Sequence, residues 1–370
     1  MRESAADERW MRHALAVGSR GLGIAFPNPS VGCVIVSDGK VAGRGFTSEG
    51  GRPHAEANAL RAAGNLANGA AAYVTLEPCA HAGQTGSCAK LLADSGIARV
   101  VYAIEDPDPR VSGKGAQLLR ESGIEVSGGC LSEQARRANL GFFLRIVENR
   151  PKIALKLAAS LDGKTASAGG QSQWITGAAA RRRVHALRAT YDAVMVGRGT
   201  VEADDPLLTV RDLGSTHSPI RIFFDSDLRT PATNRLAKSA RRHALWVAHC
   251  EGACPEAAAR WNEAGAETIP CARGSDDRVE IRSALREFAN RGLTRILCEG
   301  GATLAGSLLS ADLVDELICF SAGIALGAEG LPAIGRTPWR MLDESPRFEL
   351  AEQSAAGHDL LHRWRRARPN

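Results

Sequence analysis

The feature that most constrains the fold of this chain is the alternation of short apolar runs with helical patterns along most of its length. Short apolar runs are typical of buried strands, whereas apolar residues that recur every three or four positions indicate a helix. Because strands that alternate with helices form covered, largely parallel sheets, the sequence predicts an α/β protein. The predicted strands are residues 31–36, 41–46, 72–76, 99–104, 153–159, 193–197, 220–225, 244–248, 295–299 and 317–320, and the predicted helices are residues 7–20, 54–63, 88–95, 178–189, 280–291 and 304–310.

The pattern changes near residue 148, where Glu148-Asn149-Arg150-Pro151 is typical of a short connector. The residue before a proline is disfavoured in a helix, so a helix should end there. A chain of 370 residues is also long enough for two domains, at roughly 150 residues per domain. We therefore predict two domains, residues 1–147 and residues 148–370.

Composition excludes several classes of protein. The apolar fraction of 44% and the charged fraction of 24% are ordinary for a globular protein and exclude a disordered or collagen-like chain. No stretch approaches the roughly 18 apolar residues that span a bilayer. Asp7, Glu8 and Arg12 interrupt the start of the chain, unlike the apolar region of a secretory signal. These observations predict a cytoplasmic protein without a membrane partner.

The net charge and the cysteine content exclude fewer functions. The net charge of +5 suits a small anionic substrate as well as it suits nucleic acid. The nine cysteines are odd in number and scattered, which does not match a secreted disulfide framework. Some of them are therefore candidates for metal binding.

Three such candidates, His54, Cys79 and Cys88, form the first chemical constellation. His54 and Cys88 each stand where a helix is predicted to begin, and Cys79 follows a predicted strand. Three nitrogen and sulfur ligands with an open fourth position are typical of a catalytic zinc site. Glu56 can point at the same site and move protons without binding the metal. The order of these residues matches the H-x-E and P-C-x-x-C pattern of zinc deaminases, and they would have no reason to follow that order if they were only buried side chains. One difference is that eight residues, rather than two, separate the cysteines.

The second constellation begins with Gly300-Gly301, which lies between a predicted strand and a predicted helix. Free N–H groups at a helix start favour a phosphate group. A tight turn would explain a glycine pair equally well, and the G-x-G-x-x-G pattern of Rossmann domains is absent. Taken alone, the pair leaves both interpretations open.

Longer motifs resemble one family along nearly the entire chain, the bifunctional deaminase/reductases of riboflavin biosynthesis. The first half carries the deaminase motifs and the second half the reductase motifs. They are, in order, residues 27–32 (Pro-Asn-Pro-Ser-Val-Gly), 54–56 (His-Ala-Glu), 75–81 (Thr-Leu-Glu-Pro-Cys-Ala-His), 156–164, 172–176 (Ser-Gln-Trp-Ile-Thr), 196–200, 203–211, 225–226 and 299–304.

The resemblance implies a fold and two reactions. The first domain would be a cytidine-deaminase-like three-layer α/β/α domain that uses Zn²⁺, and the second a dihydrofolate-reductase-like α/β domain that uses NADPH. The deaminase would remove the 2-amino group of 2,5-diamino-6-ribosylamino-4(3H)-pyrimidinone 5′-phosphate by zinc-hydroxide hydrolysis. The reductase would transfer a hydride to the ribosyl group of 5-amino-6-(5-phosphoribosylamino)uracil and open it to ribityl. A homo-oligomer, either a dimer or a tetramer, without a nucleic-acid partner is also implied.

The resemblance further assigns roles to individual residues. The zinc ligands would be His54, Cys79 and Cys88, with Glu56 as the catalytic acid/base. Lys156 and Glu299 remain alternative proton donors for the reductase. The implied substrate contacts are Asn28, His81 and Asp106 in the deaminase and Ser172, Arg188, Leu208, Arg211 and Glu299 in the reductase, and the implied NADPH contacts are Ala158, Trp174, Thr200, Asp204, Ser226, Gly301, Ala302, Thr303, Leu304, Ala305, Gly306 and Ser307.

Two alternatives stay open on the sequence. Thr47, Gln84, Gly86-Ser87 and Asp108 differ from the common family pattern, which would fit a paralogue serving a pyrimidine-derived secondary metabolite, or one with a weakened deaminase. A nucleic-acid deaminase is the other alternative. It predicts aromatic residues interleaved with basic ones, yet the chain has only 9 Phe, 6 Trp and 3 Tyr, and the reductase motifs would have no explanation.

Overall fold

The computed structural model describes residues 4–80, 86–109, 111–214 and 217–367. The chain divides into two compact units, Met1–Asn149 and Arg150–Asn370. Each unit has an apolar core of its own. Among the described residues, no helix is long and apolar enough to cross a membrane.

The first unit is a five-stranded sheet flanked by helices. Its strands lie in the order β2-β1-β3-β4-β5, in which β1 is antiparallel to both neighbours and β3, β4 and β5 are parallel. The sheet is therefore mixed, because the first two strands form a hairpin. Its elements are α1 Ala5–Gly18, β1 Gly32–Ser37, β2 Lys40–Phe46, α2 Ala55–Ala63, β3 Ala71–Val74, α3 Cys88–Asp94, β4 Arg99–Tyr102, α4 Lys114–Glu121, β5 Glu125–Gly128, α5 Ser132–Ala138 and α6 Leu140–Glu148.

Two glycines of β2 allow helix α2 to lie directly on the hairpin. A Cβ at Gly43 would be 2.2 Å from the carbonyl oxygen of Ala59, and one at Gly45 would be 2.4 Å from that of Ala55. Both distances are far below van der Waals contact, so only glycine fits at these positions. The close packing fixes the start of α2, where His54 and Glu56 are found.

The second unit contains a nine-stranded sheet. Its strands lie in the order β11-β10-β9-β8-β12-β6-β13-β16-β15; the first seven in this order are parallel, and β16 and β15 are antiparallel. Strands β7 and β14 form a separate antiparallel pair. The elements are β6 Lys152–Ser160, β7 Lys164–Ala166, α7 Ala178–Arg188, β8 Ala193–Gly197, α8 Arg198–Asp204, β9 Ile220–Phe224, α9 Arg235–Lys238, β10 Leu245–Cys250, α10 Pro255–Glu263, β11 Glu267–Cys271, α11 Ile281–Asn290, β12 Arg295–Cys298, α12 Ala302–Ser310, β13 Glu316–Ala322, β14 Leu331–Pro332, β15 Phe348–Ala356 and β16 Asp359–Arg366.

A buried ion-pair network joins three strands of this sheet. Glu316 lies 2.5 Å from the Nζ of Lys152 and accepts a hydrogen bond of 2.8 Å from the Nε of Arg363. Burial opposes ionisation of Glu316, but the two cations prevail and lower its pKa to about 2. A carboxylate whose pKa is lowered by folding stabilises the folded state above its unfolded pKa, about 4.3 for Glu.

We therefore expect acid to destabilise the second unit through Glu316. The stabilisation, about 3 kcal/mol by linkage, should be complete above pH ~4.3 and be lost as the pH falls toward 2. Urea unfolding followed by tryptophan fluorescence measures this unit, because five of the six tryptophans follow residue 150. Glu316→Gln should flatten the pH dependence between pH 4.5 and 2, whereas the surface variant Glu287→Gln should not. Equal slopes in both variants would contradict the expectation.

Candidate active sites

Three segments of the first unit bring the predicted metal ligands together. His54 is the N-cap residue of α2, Cys88 is the first residue of α3, and Cys79 lies in the turn that follows β3. Ser87 begins α3 by accepting a hydrogen bond from the backbone N–H of Lys90 at 3.2 Å. The ligand atoms of His54, Cys79 and Cys88 all lie within 4.8 Å of one another.

The short distances identify the atoms that face the centre of this cluster. The Nδ1 of His54 is 3.2 Å from the Sγ of Cys88 and 3.8 Å from the Sγ of Cys79. The backbone N–H of Cys88 donates to the Sγ of Cys79 at 3.4 Å. One imidazole nitrogen and two thiol sulfurs therefore converge on a single point.

The electrostatics of the cluster favour a thiolate. The Cys88 thiol donates to Cys79 and lowers the pKa of Cys79 to about 4, although burial opposes this. His54, next to Cys79, has a raised pKa. Glu56 is only 4% exposed, and burial raises the pKa of its carboxyl group. A buried carboxyl group thus stands beside three groups of the type that bind zinc.

The predicted substrate residues of the first unit lie near this cluster where the structure describes them. The Nδ2 of Asn28 donates to the carbonyl oxygen of Gly51 at 3.0 Å and lies 3.5 Å from the Nε2 of His54. Asp106 is buried in the segment that follows β4, and burial raises the pKa of its carboxyl group to about 6. His81 and the variant position Gln84 lie outside the described residues.

Two of the positions that differ from the family pattern have local structural roles. The Oγ1 of the buried Thr47 accepts a hydrogen bond from the backbone N–H of Val31 at 3.0 Å. The backbone N–H of Asp108 donates to the Oδ1 of Asp106 at 2.9 Å. Neither residue disturbs the cluster of His54, Cys79 and Cys88.

A cavity of about 1370 Å³ lies in the second unit. It opens at the carboxyl ends of the parallel strands, where open α/β sheets generally bind ligands. The predicted reductase residues that line it are Ala158, Ser172, Trp174, Arg188, Thr200, Asp204, Leu208, Arg211, Ser226, Glu299, Gly301, Ala302, Thr303, Leu304 and Ser307. Ala305 and Gly306 do not line it. Both are buried, and a Cβ at Gly306 would lie 2.8 Å from the backbone oxygen of Arg336.

Gly300 and Gly301 form the turn between β12 and α12 in this cavity. Their φ angles of 116° and 91° lie in the region that favours glycine. The N-cap residue of α12 is Gly301, which has no side chain to accept a hydrogen bond from the first turn. The first N–H groups of the helix are thus left for an anionic group, which supports the phosphate-cradle interpretation of the glycine pair.

A charged triad, Glu299 with Lys156 and Arg188, lies in the wall of the cavity. Glu299 forms a two-pronged ion pair with Arg188, with N···O distances of 2.5 and 2.9 Å, and lies 3.9 Å from the Nζ of Lys156. Burial acts against ionisation of Glu299, yet Arg188 and Lys156 hold its pKa below the usual value. Burial lowers the pKa of Lys156, and the nearby carboxylate of Glu299 offsets this lowering only in part.

Trp174, which the family resemblance assigns to NADPH contact, is not a core residue. The side chain is 70% exposed and lines the cavity. The guanidinium of Arg181 lies 4.6 Å from the centroid of its ring. An exposed indole in a binding cavity offers a flat surface for a ring of a ligand.

Sequence reasoning missed a group of basic residues at one end of the cavity. Arg229 and Arg273 both contact the carboxylate of Asp227, at 2.8 and 3.0 Å. Arg198 and Arg278 line the same cavity. Arg198 and Arg229 follow the carboxyl ends of predicted strands within a few residues, and that position was the signal available in the sequence. Arg273 follows β11, a strand that the sequence did not predict.

Comparisons with known proteins agree with these two sites. The family model of the cytidine and deoxycytidylate deaminase zinc-binding region matches residues 4–104, and that of the RibD C-terminal domain matches residues 151–362. The riboflavin biosynthesis protein RibD of Escherichia coli (strain K12) is 40% identical over 370 residues, covering 96% of this chain and 98% of that protein. RibD of Aquifex aeolicus (strain VF5) is 38% identical over 355 residues and covers 96% and 97%.

Solved structures match over the same length. Acinetobacter baumannii RibD, form 1, has a TM-score of 0.87 and 36% identity, covering 98% of this chain and 99% of that chain. The Thermotoga maritima diaminohydroxyphosphoribosylaminopyrimidine deaminase/5-amino-6-(5-phosphoribosylamino)uracil reductase has a TM-score of 0.85 and 33% identity, with 98% and 99% coverage.

These matches confirm the predicted fold class, a cytidine-deaminase-like α/β domain followed by a reductase domain, and the predicted cofactors, Zn²⁺ and NADPH. The substrates are small molecules. A paralogue serving another pathway, or one with a weakened deaminase half, is not favoured, because the similarity to riboflavin biosynthesis proteins extends over both halves. The chain therefore belongs to the RibD family of riboflavin biosynthesis and is a bifunctional enzyme, a zinc-dependent deaminase and an NADPH-dependent reductase.

Proposed function

We propose that His54, Cys79 and Cys88 bind the zinc ion of the deaminase and that Glu56 is its acid/base. The substrate would be 2,5-diamino-6-ribosylamino-4(3H)-pyrimidinone 5′-phosphate. The single observation that carries this assignment is the convergence of the three ligand atoms within 4.8 Å beside a buried carboxyl group. An imidazole and two thiols are the donors that zinc prefers, and three of them leave one position open.

The chemistry of this site divides between the metal and the chain. When bound, zinc supplies Lewis-acid activation of water. Glu56 would take one proton from the attacking water and place it on the ring nitrogen as water adds at C2, and would then carry the second proton of that water to the amino group, which leaves as ammonia. Asn28, beside His54, would contact the ring, and His81 and Asp106 would complete the substrate side of the site.

We propose that the cavity of the second unit binds NADPH across the carboxyl ends of the strands, in the order of the sheet. Gly301 and the first turn of α12, after β12, would hold the pyrophosphate, with Thr200 after β8 beside them. Ser226, after β9, would hold the adenosine ribose. The nicotinamide would then lie toward β6, near Ala158 and Trp174.

Lys156 is the better of the two candidate proton donors for the reductase. NADPH, when bound, is the reductant of ribose C1′ in 5-amino-6-(5-phosphoribosylamino)uracil. Opening the ring turns the ring oxygen into a hydroxyl group, which requires a proton. Glu299 has a lowered pKa and is a carboxylate without a proton to give, whereas Lys156 is a cation whose pKa burial brings down.

The substrate phosphate would be bound by Arg211 rather than by Arg188. The guanidinium of Arg188 donates to both oxygens of Glu299 and to the carbonyl oxygen of Thr209. The side chain of Arg211 is exposed in the same cavity. A guanidinium with free donors forms strong charge-assisted hydrogen bonds to phosphate. Arg188 would instead hold Glu299 in place against the substrate.

The arginines around Asp227 lead to a prediction about cofactor choice. Arg229 and Arg273 lie at the adenosine end of the cavity, where the 2′-phosphate distinguishes NADPH from NADH. Arg273→Ala should raise the dissociation constant of NADPH about ten- to hundredfold, because it removes a hydrogen bond to a charged group, and leave that of NADH nearly unchanged. Isothermal titration calorimetry with each cofactor measures the two dissociation constants.

Arg291→Ala is the matched control for this prediction. Arg291 also contacts two carboxylates, those of Glu267 and Glu287, but it does not line the cavity. Its removal should leave both dissociation constants unchanged. Equal losses of NADPH and NADH affinity in Arg273→Ala would show that Arg273 does not bind the 2′-phosphate.

We also propose the organisation of the molecule. Residues 1–147 would form the deaminase domain and residues 148–370 the reductase domain, in a cytoplasmic homo-oligomer, either a dimer or a tetramer, without a nucleic-acid partner. The division of the chain into the units 1–149 and 150–370 supports the domain assignment. Sedimentation analysis measures the oligomeric state.

One preparation of the protein tests both activities together. We expect bound zinc near one per chain, ammonia release from the diaminopyrimidinone phosphate, and NADPH oxidation with the aminouracil phosphate. NADPH at 100 times its dissociation constant should stabilise the folded protein by about 2.7 kcal/mol. Absence of zinc together with absence of ammonia release would reject the deaminase assignment, and absence of NADPH binding would reject the reductase assignment.

A further inference from the structure

A buried carboxylate next to the zinc site, that of Glu77, has no part in the chemistry described so far. Glu77 follows β3, two residues before Cys79, and is only 3% exposed. Among the described residues, three backbone N–H groups of other segments donate hydrogen bonds to its two oxygens. The donors are Gly113 at 3.0 Å, Ala116 at 3.1 Å and Asp106 at 3.4 Å.

Two of these donors belong to the start of helix α4, which lacks a cap of its own. The N-cap residue is Gly113, which has no side chain to accept a hydrogen bond. Its φ angle of 76° is also far from the extended backbone that capping side chains require. The carboxylate of Glu77 satisfies the N–H groups of Gly113 and of Ala116, the third helical residue, and lies at the positive end of the helix dipole.

The backbone on either side of Glu77 also packs closely against the end of β4 and the start of α4. The N–H of Glu77 donates to the carbonyl oxygen of Ile104 at 2.9 Å. A Cβ at Gly115 would lie 1.8 Å from the carbonyl oxygen of Pro78, so the helix start touches the main chain directly before Cys79. The turn that carries Cys79 and the segment that carries Asp106 are thus held in one arrangement.

We propose that Glu77 is a positioning residue of the deaminase, which fixes the segment bearing Asp106 relative to the metal ligand Cys79. The proposal rests on the deaminase function assigned above. Glu77 touches neither the metal ligands nor the reacting atoms in this role. It acts by holding the segment of Asp106, a proposed substrate contact, at a fixed distance from the segment of Cys79. Small displacements of groups that position a substrate lower the reaction rate strongly.

The test compares Glu77→Gln with wild type and with Asp7→Asn. The glutamine keeps one acceptor oxygen but turns an NH₂ group toward a backbone N–H that it cannot satisfy. Deaminase kcat/KM should fall about 100-fold, mostly through a higher KM, with zinc content and reductase constants unchanged. Glu77→Asp keeps the charge but is shorter, and should show a smaller shift of the same kind.

Asp7→Asn is the matched control because it changes another buried carboxylate of the same unit, one that contacts β3 and β4 instead of the start of α4. Asp7 accepts hydrogen bonds from Arg99, at the start of β4, and from Tyr73 in β3. Even if Asp7→Asn lowers the melting temperature as much as Glu77→Gln does, it should leave the deaminase KM unchanged. If Asp7→Asn and Glu77→Gln raise KM equally, or if Glu77→Gln loses activity only in proportion to lost zinc, the proposal is wrong.

Amide hydrogen exchange separates this proposal from the deaminase assignment itself. Glu77→Gln should speed exchange of the Gly113 and Ala116 amides at least tenfold while amides of β1 stay protected. A wild-type protein that releases no ammonia would overturn the deaminase assignment. Unchanged exchange at Gly113 and Ala116 would overturn the role of Glu77, whatever the activity.

Discussion

Replacing Glu56 by glutamine should lower the deaminase kcat by about 10²- to 10⁴-fold, the range contributed by a positioned acid/base. The amide has nearly the shape of the carboxyl group but cannot accept and return a proton. Because Glu56 is buried beside the cluster and is not one of its three ligand residues, zinc content should stay at the wild-type value. Ammonia release and metal analysis on the same sample measure the two effects.

Cys88→Ser provides the contrasting variant for this experiment. It removes a ligand at the start of α3 and should lose both zinc and ammonia release, whereas Glu56→Gln should lose only the latter. NADPH oxidation should be unaffected in both variants, since the described residues that line the reductase cavity all belong to the second unit. Near-normal ammonia release by a zinc-loaded Glu56→Gln protein would remove Glu56 from the catalytic role.

Replacing Glu299 by glutamine should lower the free energy of unfolding of the second unit by about 3–5 kcal/mol, the usual cost of leaving buried charges without their partner. Glu299 is the shared carboxylate of Lys156 and Arg188, and all three side chains are at most 13% exposed. Arg188 cannot give up its proton, so its charge would remain buried beside an amide. Urea unfolding followed by tryptophan fluorescence measures the loss.

A double substitution tests the cause of that loss. Adding Lys156→Met to Glu299→Gln removes one of the two uncompensated cations and should restore part of the stability, which gives a measurable coupling energy. The surface variant Glu267→Gln, whose carboxylate also pairs with an arginine, should change stability by less than about 1 kcal/mol. A loss in Glu299→Gln no larger than in Glu267→Gln would contradict the buried triad as its cause.

The deaminase site was largely predictable because its residues lie in short motifs with a clear chemical reason. His54 and Glu56 are two residues apart, and Cys79 and Cys88 flank one short segment, so the order and spacing of these residue types indicated a common site. Glu77 was not predictable in this way. Its partners Gly113 and Ala116 are 36 and 39 residues away, and backbone N–H groups leave no mark in a sequence.

In the second unit, the buried parallel strands were predictable and the edge of the sheet was not. Runs such as 193–197 are fully apolar because both faces are covered. Strand β15 is exposed along most of its length, so it lacks an apolar pattern. Strand β16, which ends at Arg366, pairs with β13 on one side and β15 on the other.

The separation of the two sites along the chain has an evolutionary consequence. The residues assigned to the deaminase, including the helix start that Glu77 caps, fall between residues 28 and 116, and those lining the reductase cavity fall between residues 156 and 333. None of these described residues therefore serves both reactions, and a gene break near residue 149 would leave each set undivided. Selection can act on, duplicate or discard either half without first rebuilding the other.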